Sequence, residues 1–414
     1  MGFFSTILGT GKNTTRNSKV NASAGSSQGG LNWAQMVADE PENQSKFTVY
    51  DAAGTPLQLR ETDQKAAGGE GTVYEFAKNP KYLIKVYKDD ILKNPSKMKE
   101  LRSRIEDMTM MQKCAQMDFL AWPLMPVMNR NREVIGFVMR KVEGRSLLSL
   151  RGPESVRKFF PGWDRRNLVL VALDYVSKIR QLVQNGVLVN DFNPSNFLID
   201  RRGRVSFIDC DSYQVPAKNG GYHLTHTFFP AHTAPELILK PQLLSARRTV
   251  HQVEFATVLN VFYILMMGMH PYTYVDPNHK SACGTPDENL RRGKCPLGKG
   301  ADCSLPCGGW YNLWSYLTFQ MKGLFIQTFK DGHGDPARRP TLDQLHEVLQ
   351  LLLWVMDQDP ERRNLNPRIP CGKNPKCFQG DREKWQDNLP GGRKSSAGPK
   401  YYGQRNNQYT GGML

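Results

Sequence analysis

One stretch constrains this chain more than any other: residues 187–215, VLVNDFNPSNFLIDRRGRVSFIDCDSYQV. Two β-prone runs, residues 197–199 and 205–208, flank a tight basic turn, Arg201-Arg202-Gly203-Arg204. The stretch therefore reads as loop, strand, turn, strand, loop. A hairpin of that kind brings the loop before its first strand and the loop after its second to one end of a sheet. The polar residues at that end are Asp191, Asn196 and Asp209. Asp191 is then a carboxylate placed to accept a proton, while Asn196 and Asp209 offer the hard oxygens that magnesium prefers.

Upstream, Ala66-Ala67-Gly68-Gly69-Glu70-Gly71-Thr72-Val73-Tyr74 is a glycine-rich turn. Glycines let a backbone approach phosphates and present amide N–H groups to them, although a glycine run alone is more often just a turn. Its weight comes from the next strand, Tyr82-Leu83-Ile84-Lys85-Val86-Tyr87, with Lys85 amid apolar neighbours. Further on, Met98, Leu101, Ile105, Met108 and Met111 form a helical stripe, and so do Leu168, Val171, Ala172, Tyr175, Ile179 and Leu182. The longest apolar run, residues 255–269, contains Asn260 and Gly268 and is shorter than a membrane span needs. It reads as a buried helix stopped by Pro271.

Taken in order, these residues resemble the protein-kinase-like superfamily, whose loops are written H-R-D-x-x-x-x-N and D-F-G. The spacing from Asp191 to Asn196 matches, and the wording DFNPSNFLID…FIDCDSYQ is similar to a bacterial Ser/Thr-kinase-like group. The resemblance covers roughly residues 47–353. It implies an α+β, bilobal fold with a small, mostly β N-lobe at 47–140 and a larger, mostly helical C-lobe at 141–356. The flanks would be a flexible segment at 1–46 and a basic, Gly/Pro-rich tail at 357–414.

The resemblance also implies roles. Gly68, Gly69, Gly71 and Val73 would cover the phosphates of ATP, and Lys85 would pair the α- and β-phosphates. Glu100 or Glu106 would orient Lys85; periodicity does not choose between them. Residues 140–144, including Glu143, would form the hinge that holds adenine. Asp191 would take the proton of an attacking hydroxyl, and Asn196 and Asp209 would hold Mg²⁺. Ala234-Pro235-Glu236 matches the family's A-P-E, whose Glu pairs with a late Arg; Arg339 is the matching candidate.

There are departures. Val189-Asn190 replaces H-R, removing the Arg that would bind a phosphate on the activation segment. Asn193 replaces the Lys that neutralises the γ-phosphate, which should slow transfer or shift that work to another donor. Cys210-Asp211 replaces Phe-Gly, and Asp211 becomes a further ligand or a source of repulsion. Val253 stands where an Asp would brace the catalytic loop, with Glu254 beside it.

The rest of the chain says less. Cys283, Cys295, Cys303 and Cys307 in the insertion at 273–310 lack C-x₂-C spacing, so unlinked thiols are expected over a zinc site. His223, His226 and His232 have no acidic or Cys partner at ligand spacing. Eight cysteines and no cleavable signal peptide point to a reducing cytoplasm. The start, Met-Gly-Phe-Phe-Ser-Thr, reads as a chance match to a myristoylation pattern. A net charge of +16 favours anionic partners without choosing among them.

Three functions remain in view. The first is an ATP- and Mg²⁺-dependent Ser/Thr protein kinase with a protein substrate or itself as acceptor. The second is a nucleotide-binding pseudokinase acting as an interaction module. The third is a basic protein whose tail binds nucleic acid or an acidic surface.

Overall fold

The computed structural model describes residues 46–60, 64–67, 69–76, 79–275, 283–298 and 309–377. Gly68, Cys303, Cys307, the segment before Lys46 and most of the basic tail lie outside the described residues. The fold is α+β, and its contacts divide the chain into two units. One comprises Met1–Arg102 with Leu124–Lys141, the other Ser103–Pro123 with Val142–Leu414.

The first unit is built on a seven-stranded sheet. Its strands are β1 (Lys46–Tyr50), β2 (Pro56–Arg60), β3 (Gln64–Ala67), β4 (Gly71–Glu75), β5 (Tyr82–Tyr87), β6 (Pro123–Met128) and β7 (Val134–Arg140). They lie in the order β2-β1-β6-β7-β5-β4-β3. The β1–β2 hairpin closes on local turn chemistry: the Asp51 carboxylate accepts from Thr55 N at 2.7 Å, and Gly54 supplies a φ of 86°. One face of the sheet buries Val49, Leu57, Leu59, Tyr74, Ile84, Val127 and Val138. Strand alternation then turns Lys85, next to Ile84, to the opposite face.

The second unit is mainly helical. Helix Arg165–Gln184 starts at a capping box between Asp164 and Asn167, and its predicted stripe from Leu168 to Leu182 is wholly buried. Tyr175 of that stripe packs edge-on against Phe197 at 5.0 Å, and Phe197 does the same against Phe207. Phe197 and Phe207 belong to the hairpin of β9 (Phe197–Ile199) and β10 (Val205–Phe207), with β8 (Arg145–Ser146) alongside. The hairpin turn is held by Asp200, whose carboxylate accepts from the backbone of Arg202 and Arg204 and from the Arg204 side chain. Gly203 takes a φ of 81° there.

One sequence expectation, the helix stop at Pro271, is corrected, and two further features come from the structure. Residues 119–121 do not begin a strand of the seven-stranded sheet. Ala121 N donates to Phe207 O at 2.9 Å, Phe207 N donates to Phe119 O at 2.7 Å, and Phe119 packs edge-on against Phe207, so the segment lies along the hairpin. Helix Val250–Leu265 stops before Pro271 exerts any effect. Met267 and Gly268 turn left-handed (φ 49° and 82°), and Gly268 N reaches back to Tyr263 O at 2.8 Å. The insertion also carries a helix, Pro286–Arg292, with a Thr285–Glu288 capping box and Gly293 as its left-handed stop. Thr-x-x-Glu was the available signal for it.

Helix Val250–Leu265 is buried from Gln252 to Leu265, which accounts for the apolar run. Among the described residues no helix is long and apolar enough to cross a membrane. After helix Leu342–Gln358 the chain continues on this unit, with Asn374 donating to Tyr316 Oη and to Glu361.

Candidate active site

Asp191 sits in a loop whose entrance is pinned by a two-way backbone bridge between Leu188 and Gln214. It is 9% exposed. Its Oδ1 accepts from Asn193 N at 3.2 Å and its Oδ2 from Asn196 Nδ2 at 3.0 Å. Pro194 and the Asn193 side chain, which accepts from Ser195 N, fold residues 194–196 into a single 3₁₀ turn. That turn delivers Asn196 to the foot of β9. Ile208 N then donates to Asn196 O at 2.9 Å, closing the end of the hairpin just before Asp209. The loop thus brings Asp191 and Asn196 into contact and sets Asp209 one residue beyond the closure.

Asp209 is left-handed, with φ 58° and ψ 38°. Such a conformation costs a non-glycine residue roughly 1–2 kcal/mol, and strain of this kind concentrates at working sites. Ser212 compensates by donating twice to the Asp209 carbonyl, from N at 3.1 Å and Oγ at 2.7 Å. Cys210 fills the core in place of an aromatic ring, and burial pushes its thiol pKa well up. Asp211 is buried to 1% exposure.

In the first unit, Lys85 is 6% exposed, with its ammonium 5.6 Å from the Tyr87 ring centre and 5.9 Å from that of Phe137. Val73 and Phe137 are its register partners on β4 and β7. Gly71 is needed where it stands: a Cβ there would meet Val86 O at 2.8 Å and the Lys85 stem at 3.3 Å. Gly69 faces open space. Glu100, Glu106 and Glu143 are all exposed.

Two residues emerge only from the structure. Arg248 donates from Nε to Asn190 Oδ1 at 2.7 Å, and Asn190 Nδ2 donates to the carbonyls of Thr225 and Thr227. Asn190 therefore holds the segment after Asp209 directly, where the family pattern has an arginine. Asn260, fully buried, donates to Phe192 O and to Tyr175 Oη, both at 3.1 Å. Glu254 turns elsewhere and pairs with His251 at 2.9 Å. The sequence signal for Asn260 was a lone amide in an apolar helix, which by itself names no partner.

The three histidines of the segment part company. His223 pairs with Asp107 (2.7 Å), His226 faces Leu244 O (3.1 Å), and His232 Nδ1 donates to Asn260 Oδ1 (2.7 Å). Burial holds His232 well below the usual imidazole pKa and lowers that of His270 to about 4. Both are therefore neutral in the folded chain, while an unfolded chain takes up protons below about pH 6.5. Stability is full above that pH and falls as the pH drops towards 4. His270 alone should account for about 3 kcal/mol of the loss. Urea unfolding of the full chain at pH 7.5, 6, 5 and 4.5 checks this; His270→Gln should flatten the slope.

No family model matches the chain. It is similar to two proteins named Protein kinase YegI. That of Escherichia coli O157:H7 is 30% identical over 326 residues, covering 74% of this chain and 46% of the relative. That of Escherichia coli strain K12 is 31% identical over 306 residues, covering 68% and 44%. The chain is protein-kinase-like. This protein-kinase-like chain spans less than half the length of the curated relatives it matches.

Asn196 and Asp209 offer one amide oxygen and one carboxylate, a donor set that would fit a magnesium ion carried by a nucleotide. Among the described residues no group of three or more His, Cys, Asp or Glu side chains is assembled to hold a metal. Asn196 turns its amide nitrogen to Asp191, and its Oδ1 accepts from Ser195 Oγ at 3.5 Å. One amide oxygen with one or two carboxylates is what magnesium takes when phosphates complete its shell.

Proposed function

We propose that this chain is an ATP- and Mg²⁺-dependent protein kinase that transfers a γ-phosphoryl group to a Ser or Thr hydroxyl, its own included. In this reading the two units are the N- and C-lobes of a bilobal kinase-like fold. The observation that carries it is the Asp191–Asn196 contact, with the closed hairpin end leading straight into a strained Asp209. The acceptor oxygen attacks phosphorus, the bond to the β-phosphate's bridging oxygen breaks, and the hydroxyl proton passes to Asp191. Asn193 N and Asn196 Nδ2 orient that carboxylate. Asn196 and Asp209 hold the divalent ion, which when bound offsets charge on the phosphates. Lys85 serves the α- and β-phosphates, with Gly71 leaving room for its stem.

A second reading, a nucleotide-binding pseudokinase, has one observation in its favour. Asn193 spends its side chain on capping the 3₁₀ turn and supplies no charge to a γ-phosphate. Incubation with γ-labelled ATP and Mg²⁺, with and without chelator, separates the two. The expected result is hydroxyl-bound label on the chain or an added acceptor protein, lost with chelator. Nucleotide binding without label favours the second reading, and neither binding nor label overturns both.

A further inference from the structure

We propose that Asn260 is the positioning residue of the Asp191 loop, and that it ties this loop to the segment carrying His232. The proposal rests on the kinase reading for its catalytic consequence and on the structure alone for its mechanical one.

Asn260 lies mid-way along the buried helix Val250–Leu265, where an unpaired amide would cost about 1–3 kcal/mol. Its side chain is used at both ends. Nδ2 donates to Phe192 O, the carbonyl between Asp191 and Asn193, and also to Tyr175 Oη. Oδ1 accepts from His232 Nδ1. His232 ends a 3₁₀ turn, Pro230–His232, just before Ala234-Pro235-Glu236. Its ring packs against His270 and Tyr263, at 5.5 and 5.4 Å between centres. His270 is oriented in turn by Ala231 O at 2.7 Å.

One neutral amide thus sets both the peptide plane beside the proposed base and the segment 28 residues upstream of Asn260. No carboxylate fills this role. An ionised Asp at 260 would accept from His232 but present negative charge to Phe192 O. The amide's donor-and-acceptor pairing is what the site requires.

The titratable groups facing residue 260 are Tyr175 and His232, with His270, Tyr263 and the Arg151 that donates to Tyr263 Oη behind them. Burial would raise the pKa of an Asp placed there, and only its protonated form donates to Phe192 O.

The test uses the full chain with Asn260→Ala and Asn260→Asp. Asn260→Ala should lower kcat about 10- to 100-fold with the nucleotide KM within about twofold, the signature of a displaced loop. The Asn260→Asp to Asn260→Ala activity ratio should rise as the pH falls from 8 to 6. Hydrogen exchange should show Asn193, Ser195, Asn196 and Ile208 amides losing protection in Asn260→Ala, with helix Leu342–Gln358 unchanged as the control for folding. Unaltered loop protection, or a flat pH ratio with unchanged kcat, overturns the proposal. If the natural chain transfers no phosphoryl group, the kinase reading fails by itself, and the exchange measurement still decides the role of Asn260.

Discussion

Replacing Asp191 by alanine should lower phosphoryl transfer by about 10²- to 10⁴-fold, the range that a positioned proton acceptor contributes. Nucleotide affinity should stay within a few-fold, because Asp191 engages the loop and the acceptor rather than the nucleotide. The carboxylate receives Asn193 N and Asn196 Nδ2. Asp191→Asn keeps one oxygen, which can accept from one of these two donors, and cannot take the proton. It should therefore fall nearly as far as alanine while retaining one of the two loop bonds that alanine loses, so comparing the two separates chemistry from architecture. Initial rates with γ-labelled ATP, alongside nucleotide titration, measure both. An alanine variant that transfers at the natural rate would sink the role given to Asp191.

The second large effect is on stability. Arg339→Ala should cost about 3–5 kcal/mol, the range for removing one partner of a buried ion pair. The Arg339 side chain is fully buried and forks onto Glu236 with bonds of 2.8 and 2.7 Å. Its remaining donors reach Gly332 O and His251 O, and its plane lies 4.8 Å from the Phe255 ring centre. Burial works to raise the Glu236 pKa, but the Arg339 bonds outweigh it and hold the carboxyl below its usual value. Without Arg339 that balance reverses, and an uncompensated charge remains inside. Glu236→Leu combined with Arg339→Met should recover most of the loss. Urea unfolding of the three chains gives the values. A single variant within about 1 kcal/mol of the natural chain would show that the pair carries no such burden.

The Glu236–Arg339 pair was legible in the sequence, because both residues stand in motifs whose partners the resemblance supplies. The hairpin was legible for a local reason: Asp200 and Gly203 encode their own turn, and alternating apolar residues encode the strands. Glycine at 71 was readable as a phosphate loop, though its closest neighbour proves to be the strand that carries Lys85. The stop of helix Val250–Leu265 was not legible, because Pro271 is the louder signal. Met267 adopts a left-handed turn that no propensity favours.

The sequence by itself determined the elements and the order of the polar residues at their ends. Capping boxes, turn chemistry and periodicity act over a few residues, where spacing along the chain equals spacing in space. Only the tertiary structure decided what braces the candidate loop. Asn260 meets Phe192 across 68 residues, and Arg248 meets Asn190 across 58. A buried amide or guanidinium must find a partner, but which one depends on what packing brings within about 3 Å of it, and no local pattern carries that information.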